Sequence, residues 1–88
     1  MKVRFKKSFA RDLQAVKDKV LLDRIKAVID NVEKAKSLAD VTGLKKLRAG
    51  TACYRIRVAD YRVGLAVEAD EIVFVTVLHR REIYRYFP

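Results

Sequence analysis

The stretch Cys53–Glu68, CYRIRVADYRVGLAVE, decides how this chain folds. Polar and apolar residues alternate on both sides of Ala59 and Asp60, the period of a half-buried β-strand repeated twice around a two-residue turn. With that turn in place, pairing runs Val58 to Tyr61, Arg57 to Arg62 and Ile56 to Val63. Tyr54, Ile56, Val58, Tyr61, Val63, Leu65 and Val67 then share the face that meets the core, and Arg55, Arg57, Arg62 and Gly64 share the other.

Reading outward from the hairpin, Glu68, Asp70 and Glu71 bracket a second turn, and IVFVTVL, residues 72–78, is a continuous apolar run of the kind buried on both faces. Upstream, residues 2–6 alternate and predict a first strand with Val3 and Phe5 inward. Ser8 is the expected N-cap of a helix whose stripe is Phe9, Leu13 and Val16. A second helix is expected over 20–36, because Leu21, Leu22, Ile25, Val28, Ile29 and Val32 recur at three and four while Asp23, Lys26, Asp30 and Glu33 fall on the far side. From Ser37 to Gly50 the periodicity dissolves, which predicts mainly loop. The whole is an α+β chain: an N-terminal strand and a helical hairpin packed on a small, mainly antiparallel twisted sheet, with a short C-terminal helix or tail.

Eighty-eight residues allow one domain, 1–88. With one Cys there is no internal disulfide framework, and Cys53, opening an apolar strand, is expected to be a buried inert thiol in a reducing cytoplasm. The N-terminus lacks a signal-peptide core and the longest apolar run is too short to span a bilayer, so the expectation is a cytoplasmic protein with no membrane partner. One His, one Cys and scattered carboxylates give no metal-ligand spacing, and no phosphate-binding glycine loop or nucleophile elbow is present, so neither a metal nor a cofactor is expected.

The formal net charge of +9 is the strongest statement in the composition, and it favours an anionic partner. From Leu47 onward there is no Lys, and the cations are Arg48, Arg55, Arg57, Arg62, Arg80, Arg81 and Arg85. Arginine supplies a planar fork for bidentate phosphate contact and stacks on bases, so the second half reads as the working half. Arg57 opposite Arg62, with Arg55 two residues away on the same face, is a like-charged grouping that stability alone does not favour. Gly64 leaves room beside Arg55 for something to lie against the sheet. The last strand then delivers His79, Arg80 and Arg81, and the tail brings Tyr84 and Tyr86, one of which is expected to pack. Together these groups can surround a phosphate and stack its base. A solvated basic surface is the simpler alternative.

The order of elements, with YRIRVADYRV followed by HRREIY, resembles the RelE branch of the RelE/ParE superfamily of bacterial type II toxin–antitoxin systems, over nearly the whole chain. The resemblance implies a ribosome-dependent mRNA endonuclease that cuts the codon in the A site and is held inactive by a cognate antitoxin. An acidic, partly disordered antitoxin suits the +9 charge. It further implies catalysis by Arg62, by Arg80 (with Arg81 as the alternative register) and by Tyr84 (with Tyr86 as the alternative). Arg55 and Arg57 hold the RNA backbone, with Arg81, Tyr86 and the basic run Lys45, Lys46 and Arg48 as further RNA contacts. The general base is open: His79 is the first candidate, for its ordinary pKa, and Tyr84 the second. A gyrase inhibitor of ParE type and a non-catalytic nucleic-acid-binding module remain the competing functions.

Overall fold

In the computed structural model, which describes residues 1–48 and 50–87, the hairpin read from Cys53–Glu68 is the middle of a five-stranded sheet. The strands are β1 (Val3–Phe5), β2 (Leu44–Lys46), β3 (Cys53–Val58), β4 (Tyr61–Glu68) and β5 (Glu71–His79), in the order β1-β5-β4-β3-β2. All neighbours are antiparallel except β1, which runs parallel to β5. The register of β3 on β4 is the expected one, Val58 to Tyr61, Arg57 to Arg62 and Ile56 to Val63. Ala59 in the turn takes φ 54°, the left-handed region that tight hairpins require.

Two helices, α1 (Lys7–Gln14) and α2 (Lys19–Lys34), cover one face of the sheet. Phe9, Leu21, Ile25 and Val32 meet Ile56, Val58, Val63, Leu65, Ile72, Phe74 and Val77 in a single core, and β5 is buried along most of its length. The α2 helix opens on Asp18, whose carboxylate accepts the N–H groups of Val20 (2.9 Å) and Leu21 (3.2 Å).

Four local expectations need correction. Ser8 is not an N-cap: Lys6 holds that position and makes no side-chain cap. Ser8 instead lies within the first turn and donates its hydroxyl to the carbonyl of Val75, while Asp12, one turn on, accepts from the N–H of Val77 (3.2 Å) and from the Thr76 hydroxyl. β1 pairs with β5 only as far as Phe74, so beyond it one edge of β5 has no strand neighbour. Two side chains of α1 satisfy that edge in place of a strand. Phe5 is 51% exposed rather than inward, because β1 is an edge strand, although its ring still stacks on Phe74 at 5.1 Å.

The 37–50 segment, expected to be loop, contains a 3₁₀ turn (Leu38–Asp40) and the edge strand β2. Three residues are too few to show a period, so β2 exists through its pairing with β3, Leu44 to Ile56, Lys45 to Arg55 and Lys46 to Tyr54. Last, the tail forms one helical turn, α3 (Ile83–Tyr86), in which both tyrosines face outward, Tyr84 66% and Tyr86 64% exposed. The packing is done by Ile83 and Phe87, four residues apart and therefore on one side of the turn.

Candidate nucleic-acid interface

Residues opposite one another on antiparallel neighbours point to the same side, so the register lays out the face turned away from α2. One row runs Lys45, Arg55, Gly64, Thr76, and the next runs Arg57, Arg62, Leu78. Four cations from three strands thus lie side by side. The ion pairs among the described residues all lie elsewhere: Arg4 with Glu68 (3.0 Å) and Glu71 (2.6 Å), Lys2 with Glu71, Arg11 with Asp12, and Lys19 with Asp23.

Arg62 is the centre of this face and only 7% exposed. Its Nη1 donates to the carbonyls of Ala59 (3.0 Å) and Tyr61 (2.9 Å), which fixes the guanidinium and leaves Nη2 and Nε for a ligand. Burial lowers its pKa from the ordinary arginine value, and the charges of Arg57, Arg55 and Arg80 push the same way. Tyr84 acts in the opposite sense on Arg62, so this tail phenol and Arg80 both lie within electrostatic reach. Arg55 carries a buried Nε with no hydrogen-bond partner. An unmatched buried donor costs about 1–3 kcal/mol, and an anion oxygen would satisfy it.

The structure brings together Arg55, Arg57, Arg62, Arg80 and Tyr84, and adds Lys45 to them. Arg80 is exposed and its backbone N–H donates to Asp60 (2.8 Å), which pins it beside the hairpin turn. Lys46 points to the opposite side, where it lies 5.8 Å from the Tyr54 ring centroid. Arg48 and Arg81 are exposed outside the strands. Tyr86 is turned toward α1, lining a cavity of about 280 Å³ with Ser8, Arg11, Asp12, Leu78 and Phe87.

His79 does not join the arginines. It pairs with Tyr61 in the register, which places it on the core side of the sheet, edge-on to the Tyr61 ring at 5.5 Å. Its Nδ1 accepts the backbone N–H of Arg81 (3.2 Å), so the neutral ring carries its proton on Nε2. This geometry turns the imidazole toward ordering the Arg80–Arg81 segment and away from the anion face. Cys53 is half-buried and its thiol is free. No group of three or more His, Cys, Asp or Glu side chains able to hold a metal occurs among the described residues, and none of their helices is long and apolar enough to cross a membrane.

Phe87, which no sequence motif marks, also belongs to this face. A Cβ built on Gly64 would come within 2.9 Å of its ring and 2.8 Å of Thr76 Cγ2. The space that Gly64 leaves beside Arg55 is therefore filled by the chain's own penultimate residue.

Residues 3–84 match the family model for the ParE toxin of the type II toxin–antitoxin system parDE. The chain is 44% identical to Toxin RelE3 of Methanocaldococcus jannaschii, over 100% of both sequences. The fold superposes on the toxin in the RelB-RelE antitoxin–toxin complex of Methanococcus jannaschii with a TM-score of 0.78, at 41% identity, covering 97% of this chain and 99% of that one. The archaeal RelE-RelB complex of Pyrococcus horikoshii OT3 gives a TM-score of 0.70 at 25% identity, over 90% and 93% of the two chains. Sheet, helical hairpin and short C-terminal helix together define a toxin domain of RelE-like fold. The chain belongs to the ParE toxin family, within the RelE/ParE superfamily of type II toxin–antitoxin toxins.

Proposed function

We propose that this toxin is a ribosome-dependent mRNA endonuclease that cuts the codon in the A site. The observation that carries the reading is the arginine face itself: Arg57 opposes Arg62, Arg55 Nε is buried without a partner, and no carboxylate among the described residues balances them. Such a face is complete only with an anion upon it.

In the reaction, the 2′-oxygen of the codon's ribose bonds to the adjacent phosphorus as the P–O5′ bond breaks, leaving a 2′,3′-cyclic phosphate and a 5′-hydroxyl. The nucleophile is tethered to its target, so the protein supplies orientation and charge rather than a covalent intermediate. Arg62, held by two backbone carbonyls, and Arg80 stabilise the negative charge that grows on the pentacoordinate phosphorus. Arg55, Arg57 and Lys45 grip the flanking backbone. Tyr84 gives its phenolic proton to the departing 5′-oxygen, and the proton of the 2′-hydroxyl passes to water. His79 orders the segment bearing Arg80 and Arg81. Arg81, Arg48 and Tyr86 extend the RNA contact at the rim.

The toxin is paired with a cognate antitoxin, as the Methanococcus jannaschii relative is with RelB. A net charge of +9 favours an acidic partner segment over the cationic surface. Purified toxin given stalled ribosomes should cut an all-ribose message and leave intact one whose A-site codon carries a single 2′-deoxyribose at the scissile position. Cutting of the deoxy message would exclude 2′-hydroxyl attack.

A further inference from the structure

A single helical turn is too short to hold itself, since helix nucleation is unfavourable and its ends leave backbone groups unmatched. The α3 turn has two anchors. Ile83, with no exposed surface, fixes its start, and Phe87, 7% exposed, fixes its end while its N–H donates to the Ile83 carbonyl (2.9 Å). Tyr84, Arg85 and Tyr86 lie between the anchors and face outward.

The seat under Phe87 is unusual. Gly64 and Arg62 lie two residues apart on β4 and hence on one face, so the ring rests against the sheet one step along from the guanidinium. No side chain larger than hydrogen fits at Gly64 without moving the ring, because an added Cβ would stand 2.9 Å from two of its carbons. The close contact thus sets the height of the tail above the arginine row. It also sets where the exposed Tyr84 phenol falls.

We infer that Phe87 is a positioning residue whose ring, seated on Gly64, holds the α3 turn so that Tyr84 stands over Arg62. The inference deepens the endonuclease reading and rests on it for its kinetic consequence. The electrostatic influence of Tyr84 on Arg62 agrees with the placement.

The test is a double-mutant cycle of Phe87→Ala and Tyr84→Ala, read as kcat and KM for cleavage of a defined message on stalled ribosomes, alongside NMR of the free toxins. Phe87→Ala should lower kcat about 10- to 100-fold with KM close to wild type, the scale expected when a reacting group is misplaced by about 1 Å, and because the lost ring is buried the assays are run well below the lowered thermal midpoint of the variant. In the Tyr84→Ala background the same change should have no further effect, since it acts through the missing phenol. Phe87→Leu, which keeps an apolar plug, should recover part of the loss. Wild-type spectra should show Gly64 Hα shifted upfield by the Phe87 ring and contacts between Tyr84 and Arg62, and both should vanish in Phe87→Ala.

Additive losses in the cycle, an unchanged kcat, or Tyr84–Arg62 contacts that survive Phe87→Ala would each overturn the inference. Wild-type toxin that leaves the message uncut would instead bring down the endonuclease reading, and the NMR contacts alone would then decide the role of Phe87.

Discussion

Arg57 and Arg62 stand directly opposite each other on β3 and β4, a cross-strand pair of like charge at the centre of the sheet. Arg62 is buried and its pKa is lowered by that burial and then by Arg57, so the folded state disfavours its charged form. Its guanidinium is protonated in both folded and unfolded chains near neutrality, so the cost is present there. It is relieved only as pH rises through the folded pKa, in strongly alkaline solution.

Replacing exposed Arg57 with Gln should therefore stabilise the fold, by about 0.2–1 kcal/mol, the usual scale of a cross-strand pair. Urea denaturation of wild type and Arg57→Gln at low and high NaCl checks this. The gain should shrink with salt, which screens the repulsion in the wild type. A loss of stability at low salt would mean that Arg57 is held by attractions absent from this arrangement.

The two lysines of β2 should separate functionally although they are neighbours. Lys45 shares a row with Arg55, whereas Lys46 points to the opposite face beside Tyr54. Lys45→Ala is expected to weaken binding of a single-stranded RNA and to reduce the slope of log K against log salt by about 0.7, the value for one lost phosphate contact. Lys46→Ala should leave that slope unchanged. Titrations at several salt concentrations, followed by fluorescence anisotropy, measure both.

Asp12 should matter more for stability than its place on a helix surface suggests. Its carboxylate accepts from Thr76 and from the Val77 N–H, so Asp12→Ala leaves two donors unmatched at the edge of β5. The expected loss is about 1–3 kcal/mol in a denaturant titration. Ser8→Ala, which frees only the Val75 carbonyl, should cost less.

The turn between β4 and β5 holds Ala69 and Asp70 at φ 48° and 65°. Left-handed backbone costs an L-residue about 1–2 kcal/mol, and Asn-Gly suits a turn with both central residues in that region. The pair Ala69→Asn with Asp70→Gly should raise the thermal midpoint without changing RNA affinity, because the turn lies at the end of β4 away from Arg62. Calorimetry with the same anisotropy assay reads both.

The parts of this fold written in local alternation were legible in the sequence. The β3–β4 hairpin matched to the residue, because a period of two and a two-residue turn leave one register that buries Ile56, Val58, Val63 and Leu65 together. β2 was not legible, since three residues carry no period and the strand exists only through its partner. Ser8 departs from the expected cap because its hydroxyl answers to Val75, 67 residues away, rather than to its own helix.

The arginine row likewise followed from alternation, while the place of His79 did not. One residue of register separates it from Leu78, on the arginine side, and turns it toward Tyr61. The role of Phe87 is not legible from local pattern because its partner is a glycine, which carries no side chain to signal a contact. The spacing of Phe87 four residues after Ile83, on one side of a helical turn, was the available clue.

The central claim is that the arginine face cleaves RNA on the ribosome. Its most direct test is primer-extension mapping of a defined message incubated with purified toxin, with and without ribosomes stalled with an open A site, for wild type and Arg62→Ala. The account predicts cuts within the A-site codon only when ribosomes are present, and none with Arg62→Ala although that variant still folds and binds its antitoxin. Wild-type cuts that persist undiminished in Arg62→Ala, or no cuts in any condition while gyrase supercoiling is inhibited, would contradict it.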